Sequence, residues 1–112
     1  MSLIGDTKAY SPTTLSRQDV EALEGRIVLD FGTSWCGVCR ASAAMITQAL
    51  AAHPRVRHLA IEDGPGRALG RAYRVKLWPT LVFLRDGSEI ERLVRPRDVQ
   101  SIIQALARLD GA

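Results

Sequence analysis

Cysteine is scarce in this chain: 112 residues hold two, too few for a disulfide-stapled scaffold. No apolar run approaches the roughly 18 residues a membrane span needs, so no membrane association is expected. No N-terminal segment combines a positive start, a long apolar stretch and a small-residue cleavage site, and the cytoplasm is therefore the expected compartment. Met1-Ser2-Leu3 also reads as a cloning scar. Had it replaced a leader, the periplasm would be expected instead. Internal repeats, low-complexity tracts and linkers are missing. The net charge is only +3, with arginines scattered along the chain, so nucleic-acid binding is not implied.

Other absences narrow the chemistry. A structural zinc needs four ligands, and only His53 and His58 could join the cysteines from distant predicted elements, so no metal is expected. Haem attachment requires His directly after the second cysteine, where Arg40 stands. Gly64 and Gly66 lack the Lys-Ser/Thr of a phosphate loop. What remains has the composition of a soluble globular protein, 24% charged. Its length suits one domain over residues 1–112 with a single core, expected to be monomeric.

Periodicity orders the elements. Ser16-Arg17-Gln18-Asp19 resembles a capping box, with Val20 and Leu23 on one face of a short helix ending at Gly25. Ile27 to Phe31 is apolar on both alternating faces except at Asp30, which predicts a central strand covered on both sides. Gly32, Thr33 and Ser34 turn the chain toward the cysteines. Ala43, Ile46 and Leu50 then recur at helical spacing until His53-Pro54 stops the helix. Val56 to Ile61 predicts a second buried strand, and Leu69, Ala72 and Tyr73 a shorter helix. Thr80 to Leu84 and Ile90 to Val94 flank Asp86-Gly87, a favoured hairpin turn. Val99, Ile102, Ile103, Leu106 and Leu109 mark a closing amphipathic helix. Thr7 to Tyr10 is a candidate edge strand. The order predicts an α/β fold: a mixed central sheet with helices on both faces.

The two cysteines form the Cys-x-x-Cys of Trp35-Cys36-Gly37-Val38-Cys39, between the first strand and the Ala-rich helix. This spacing at a helix start places one sulfur at the exposed N-terminus and the other a turn inside, close enough for a small disulfide ring. Unpaired N–H groups and the helix dipole favour a Cys36 thiolate, so its pKa is expected below the free value of about 8.5. Cys36 is then the attacking sulfur and Cys39 the resolving one, and the Cys36–Cys39 disulfide serves as the redox centre without a bound cofactor. A purely structural staple is disfavoured, because so short a loop constrains little of the unfolded chain.

With these motifs in place the chain resembles the thioredoxin family from about Thr7 to Leu109. Asp30-Phe31 with Trp35-Cys36-Gly37-x-Cys39-Arg40 is similar to the family's active-site segment. Pro79-Thr80 running into Leu81-Val82-Phe83-Leu84-Arg85-Asp86-Gly87 is similar to the segment that begins at its cis-proline. The resemblance implies a thioredoxin fold and protein-disulfide reduction. It makes Asp30 the group that accepts and returns the Cys39 proton, a role that suits a carboxylate in an apolar strand. It also implies a cis Pro79 beside the disulfide and a Trp78 backbone that pairs with a substrate strand. Trp35, Gly37, Val38, Trp78 and Pro79 are thereby expected to form the substrate surface. Disulfide-containing proteins are the implied partners, and a flavin- and NADPH-dependent thioredoxin reductase the implied electron donor.

Several positions depart from the family pattern. Val38 replaces a proline between the cysteines, which bears on the balance of dithiol and disulfide. Gly32 stands where a tryptophan is common, Ala44 where a proline often kinks the helix, and His58 near the place of a lysine. Trp78 replaces a smaller aliphatic residue, and Leu93-Val94-Arg95-Pro96 lacks a glycine. The last two changes fall on the expected docking surface. Two other functions fit the residues: an envelope disulfide oxidase or isomerase, which Val38 permits, and a non-catalytic adaptor on the same fold.

Overall fold

The computed structural model describes residues 9–111. Ser16 opens the first helix, α1 (Arg17–Glu21), through a complete capping box: its hydroxyl accepts from the Asp19 N–H at 3.0 Å, and the Asp19 carboxylate accepts from the Ser16 N–H at 2.9 Å. The chain then forms β1 (Arg26–Gly32), α2 (Gly37–Leu50), β2 (Arg57–Glu62), α3 (Ala68–Ala72), β3 (Thr80–Arg85), β4 (Ser88–Val94) and α4 (Val99–Asp110). The sheet order is β2-β1-β3-β4. β2 runs parallel to β1, and the other pairs are antiparallel. The β3–β4 turn has Asp86 at φ 50° and Gly87 at φ 84°, the left-handed pair that such a tight hairpin requires.

Strand alternation divides the core in two. Ile27, Leu29 and Phe31 of β1, with Val82 and Leu84 of β3, pack against Val20, Leu69 and Tyr73 on the α1–α3 side. Val28, Leu81 and Phe83 point the other way, against Ile46 and Ala49 of α2 and Ile102, Ala105, Leu106 and Leu109 of α4. The α4 residues recur at i, i+3, i+4 and i+7, so one helical stripe covers the sheet. By the same alternation Asp30 and Gly32 share the face of Val28, beneath α2. Asp30 pairs in register with Ala60 and Val28 with His58. His58 is thus the diagonal neighbour of Asp30 on that same face.

Of the candidate edge strand Thr7 to Tyr10, Thr7 and Lys8 lie outside the described residues. Pairing occurs one residue later, as an isolated parallel bridge between Ser11 and Ile61, with Ser11 N–H to Ala60 O at 3.3 Å and Glu62 N–H to Ser11 O at 2.9 Å. Gly32, read as the start of the turn, instead ends β1 in register with Glu62.

Candidate active site

The sequence Cys36-Gly37-Val38-Cys39 places the pair across the helix start. Cys36 is the N-cap of α2, with extended backbone, and Cys39 lies in the first turn. The Cys36 Sγ accepts the Cys39 N–H at 3.2 Å, so the thiol itself satisfies one of the amides left unpaired at the helix start. Both cysteines are free thiols. Cys36 is partly exposed, whereas Cys39 is fully buried.

The two sulfurs differ in acidity. Burial acts to raise the Cys36 thiol. The hydrogen bond with the Cys39 thiol, the N–H groups of Cys39 and Val38 and the charge of Arg95 outweigh it, and hold Cys36 below the ordinary cysteine value. Burial pushes Cys39 up to about 12, reinforced by its bond with Cys36. The pair is thus one thiol primed to ionise next to one that needs help to do so.

Asp30 is 2% exposed in total. Its Oδ1 accepts from the Tyr10 hydroxyl at 2.7 Å, and its Oδ2 lies 2.9 Å from His58 Nε2. The Tyr10 ring also lies beside the Cys39 thiol, both facing Gly32. Burial and then the Asp30 charge push the Tyr10 phenol well above its ordinary value, so it keeps its proton. A cavity of about 490 Å³ opens at Asp30 between α2 and β2, with Ala43, Ala44, Thr47 and Gln48 on one side and Tyr10 and His58 on the other.

Gly32 explains why these groups meet. A Cβ there would lie 2.6 Å from Cys39 Sγ and 2.9 Å from Tyr10 Cζ, closer than a side chain permits. Where the family commonly has a tryptophan, this chain has a bare backbone, and the Tyr10 ring closes against it. Tyr10 is the site residue that sequence reasoning missed. Its signal was the missing aromatic at Gly32, which leaves room beside Cys39 for another ring.

The residues expected at the substrate surface lie as follows. Trp35 is 72% exposed and meets Trp78 edge-on, ring centroids 5.5 Å apart. Trp78 is half-buried, its Nε1 donating to Asp63 Oδ2 at 2.8 Å. The Trp78–Pro79 bond is cis. Val38 is exposed, and space is open around Gly37. Arg95, at φ 50°, donates its backbone N–H to Pro79 O at 2.9 Å and its Nε to Trp78 O at 2.7 Å. The Trp78 carbonyl is therefore already engaged by a side chain on one lone pair. His53 stands apart from the site, its Nδ1 2.8 Å from Asp110 Oδ2 beyond the other end of α2.

A helix-start dithiol with one buried sulfur, set above a buried carboxylate and placed on a mixed sheet followed by a cis-proline, defines a thiol–disulfide oxidoreductase of the thioredoxin fold. The sequence model of the family described as Thioredoxin matches residues 10–108, and the chain belongs to the thioredoxin family. A thioredoxin of Chlamydia trachomatis serovar D is 30% identical over 84 residues, 75% of this chain and 82% of that protein. An H-type thioredoxin of Fagopyrum esculentum is 32% identical over 71 residues, 63% of this chain and 61% of that protein. Among solved structures, thioredoxin 2 from Pseudomonas aeruginosa PAO1 in its reduced form matches with a TM-score of 0.83 and 44% identity, over 92% of this chain and 97% of that one.

Proposed function

We propose that this chain reduces protein disulfides, with Cys36 as the attacking thiolate, Cys39 as the resolving thiol and Asp30 as the base that takes the Cys39 proton. The observation that carries this reading is the asymmetry of the two sulfurs: Cys36 is accessible and held low, Cys39 buried and pushed to about 12. The Cys36 thiolate attacks a substrate disulfide, and one substrate sulfur leaves with the electron pair of the broken bond. Cys39, deprotonated by Asp30, then attacks Cys36 Sγ. The Cys36–Cys39 bond forms, the second substrate sulfur leaves, and the chain has lost two electrons to the substrate.

Trp35, Gly37, Val38, Trp78 and Pro79 frame the docking surface. The exposed Trp35–Trp78 pair supplies apolar contact, and the backbone before Pro79 offers strand-like pairing. A flavin- and NADPH-dependent thioredoxin reductase, the family's usual donor, restores the dithiol, a cycle suited to the cytoplasm. Val38 between the cysteines favours one further reading, an oxidase or isomerase working in the opposite direction.

Two measurements test this. Cys36→Ser should abolish insulin disulfide reduction while Cys39→Ser accumulates mixed disulfides; a Cys36→Ser protein that still reduces insulin would sink the mechanism. The equilibrium potential of the couple separates the directions. A value near about −270 mV fits a reductant, and one near about −180 mV or higher an isomerase or oxidase.

A further inference from the structure

The proposed mechanism leaves the path of the Cys39 proton open, and the groups around Gly32 supply one. Both Asp30 oxygens are engaged, Oδ1 by the Tyr10 hydroxyl at 2.7 Å and Oδ2 by His58 at 2.9 Å. The Tyr10 ring, in turn, lies beside Cys39 Sγ, the two meeting where a Gly32 side chain would stand. The ring is brought to the thiol by the bare backbone of Gly32, where any side chain would displace both. The phenol is thereby wedged between the sulfur that must lose a proton and the carboxylate that would take it. A hydroxyl is suited to this place, because it can accept on one side while donating on the other.

We propose that the Tyr10 hydroxyl is the proton relay between Cys39 and Asp30, joining the resolving thiol to its base through one side chain. This rests on the reading of Cys39 as the resolving thiol and Asp30 as its base. The Cys39 S–H proton passes to Tyr10 Oη as the Tyr10 proton passes to Asp30 Oδ1. The result is a Cys39 thiolate, a neutral tyrosine now donating to that thiolate, and a protonated Asp30. The thiolate attacks Cys36 Sγ, and the Cys36–substrate bond breaks with its electron pair on the departing sulfur. Asp30 later releases its proton into the cavity beside it, where His58 holds the second oxygen. Tyr10 never ionises in this sequence, in keeping with its burial beside a carboxylate. The titratable groups around the resolving thiol are Tyr10, Asp30, His58 and Cys36, with Arg95 acting through Cys36.

Stopped-flow reaction of the reduced protein with a chromogenic aryl disulfide tests the relay. The first phase of thiol release reports attack by Cys36, and the second reports resolution by Cys39. In Tyr10→Phe, which keeps the ring but loses the hydroxyl, the second phase should slow about 10- to 100-fold and its pH profile should move upward, while the first phase is unchanged. An unaltered second phase in Tyr10→Phe beside a slowed one in Asp30→Asn would overturn the relay and leave the base in place. An unaltered second phase in both variants would overturn the acid–base reading itself. Should Tyr10→Phe fail to fold, 3-fluorotyrosine at position 10 keeps the shape and makes the hydroxyl more acidic. The pH profile of the second phase should then shift, and a profile that stays where it was would overturn the proposal.

Discussion

Two histidine–carboxylate pairs stand at opposite ends of β1, and they differ in what surrounds them. Asp30 and His58, 2.9 Å apart, sit under the redox helix with a tyrosine hydroxyl on the other oxygen. Asp110 and His53, 2.8 Å apart, sit where α2 and α4 end, with the Arg26 guanidinium 3.3 Å from the second oxygen. The far pair joins a cationic cluster: Arg26 and Arg85 also donate to Leu109 O at the end of α4, where helix carbonyls lack partners of their own. Its carboxylate is neutralised in place and tethers the helix ends. The near pair instead faces a buried phenol and a cavity under the redox helix. The same two side-chain types thus make a tether at one end and, in the proposed mechanism, a proton-handling site at the other.

Removing each carboxylate in turn is the strongest test of that contrast. Asp30→Asn should lower the turnover of insulin reduction by about 100-fold, the scale of a lost acid–base group. Asp110→Asn should leave turnover unchanged. Equal losses in both variants would mean that the pairs act only through the fold. The next effect is on packing. Gly32→Ala puts a methyl group against Cys39 Sγ and the Tyr10 ring, and should destabilise the protein by about 1–3 kcal/mol, the usual cost of overpacking. Urea denaturation measures this. An alanine accepted without loss would show that Tyr10 is free to withdraw from the thiol.

Much of this was legible in the sequence, for physical reasons. Alternation along Ile27–Phe31 set the central strand, and the 3.6-residue period of Val99–Leu109 set the last helix. Cys-x-x-Cys at a helix start fixed the reactive pair. That Asp30 and His58 share a face depends on the register of β1 against β2, which alternation within each strand does not specify. Tyr10 was harder to see. It lies 20 residues from Asp30, just before a single bridge, where no period announces which way a side chain points. The His53–Asp110 pair spans 57 residues and depends on where two helices end, and helix ends are weakly written in sequence.

The far pair makes a prediction about pH. His53, first through its hydrogen bond and then through its charge, holds the Asp110 carboxyl below the usual carboxylate range, with help from Arg26 and Arg55. A carboxyl whose folded value is depressed adds stability that is complete above its unfolded value, about 3.9. That stability is lost as pH falls through the lower folded value. Asp110→Asn should therefore unfold more readily than the parent above about pH 4, with the difference closing in stronger acid. The pair is partly exposed, so the effect should be modest and should shrink with salt. Urea midpoints measured across the acid range check this. A gap that persisted unchanged into strong acid would assign the loss to packing rather than charge.

The smallest effect sharpens the comparison from the side of the active site. Cations stabilise the Asp110 carboxylate, whereas at Cys36 the guanidinium of Arg95 favours an anion that must come and go in the proposed cycle. Arg95 is exposed, so water and salt screen its charge, and the N–H groups at the start of α2 account for more of the thiolate's stability. In Arg95→Ala the pH midpoint of Cys36 alkylation by iodoacetamide should rise only slightly, and the difference from the parent should fade as salt is added. Loss of the Nε bond also frees the Trp78 carbonyl for a substrate strand, so the KM for a peptide disulfide should fall while the alkylation midpoint rises. Movement of both in the same variant would assign Arg95 two roles, thiolate stabilisation and competition for the substrate edge. A midpoint that did not move would leave the acidity of Cys36 to the helix start and its neighbouring thiol.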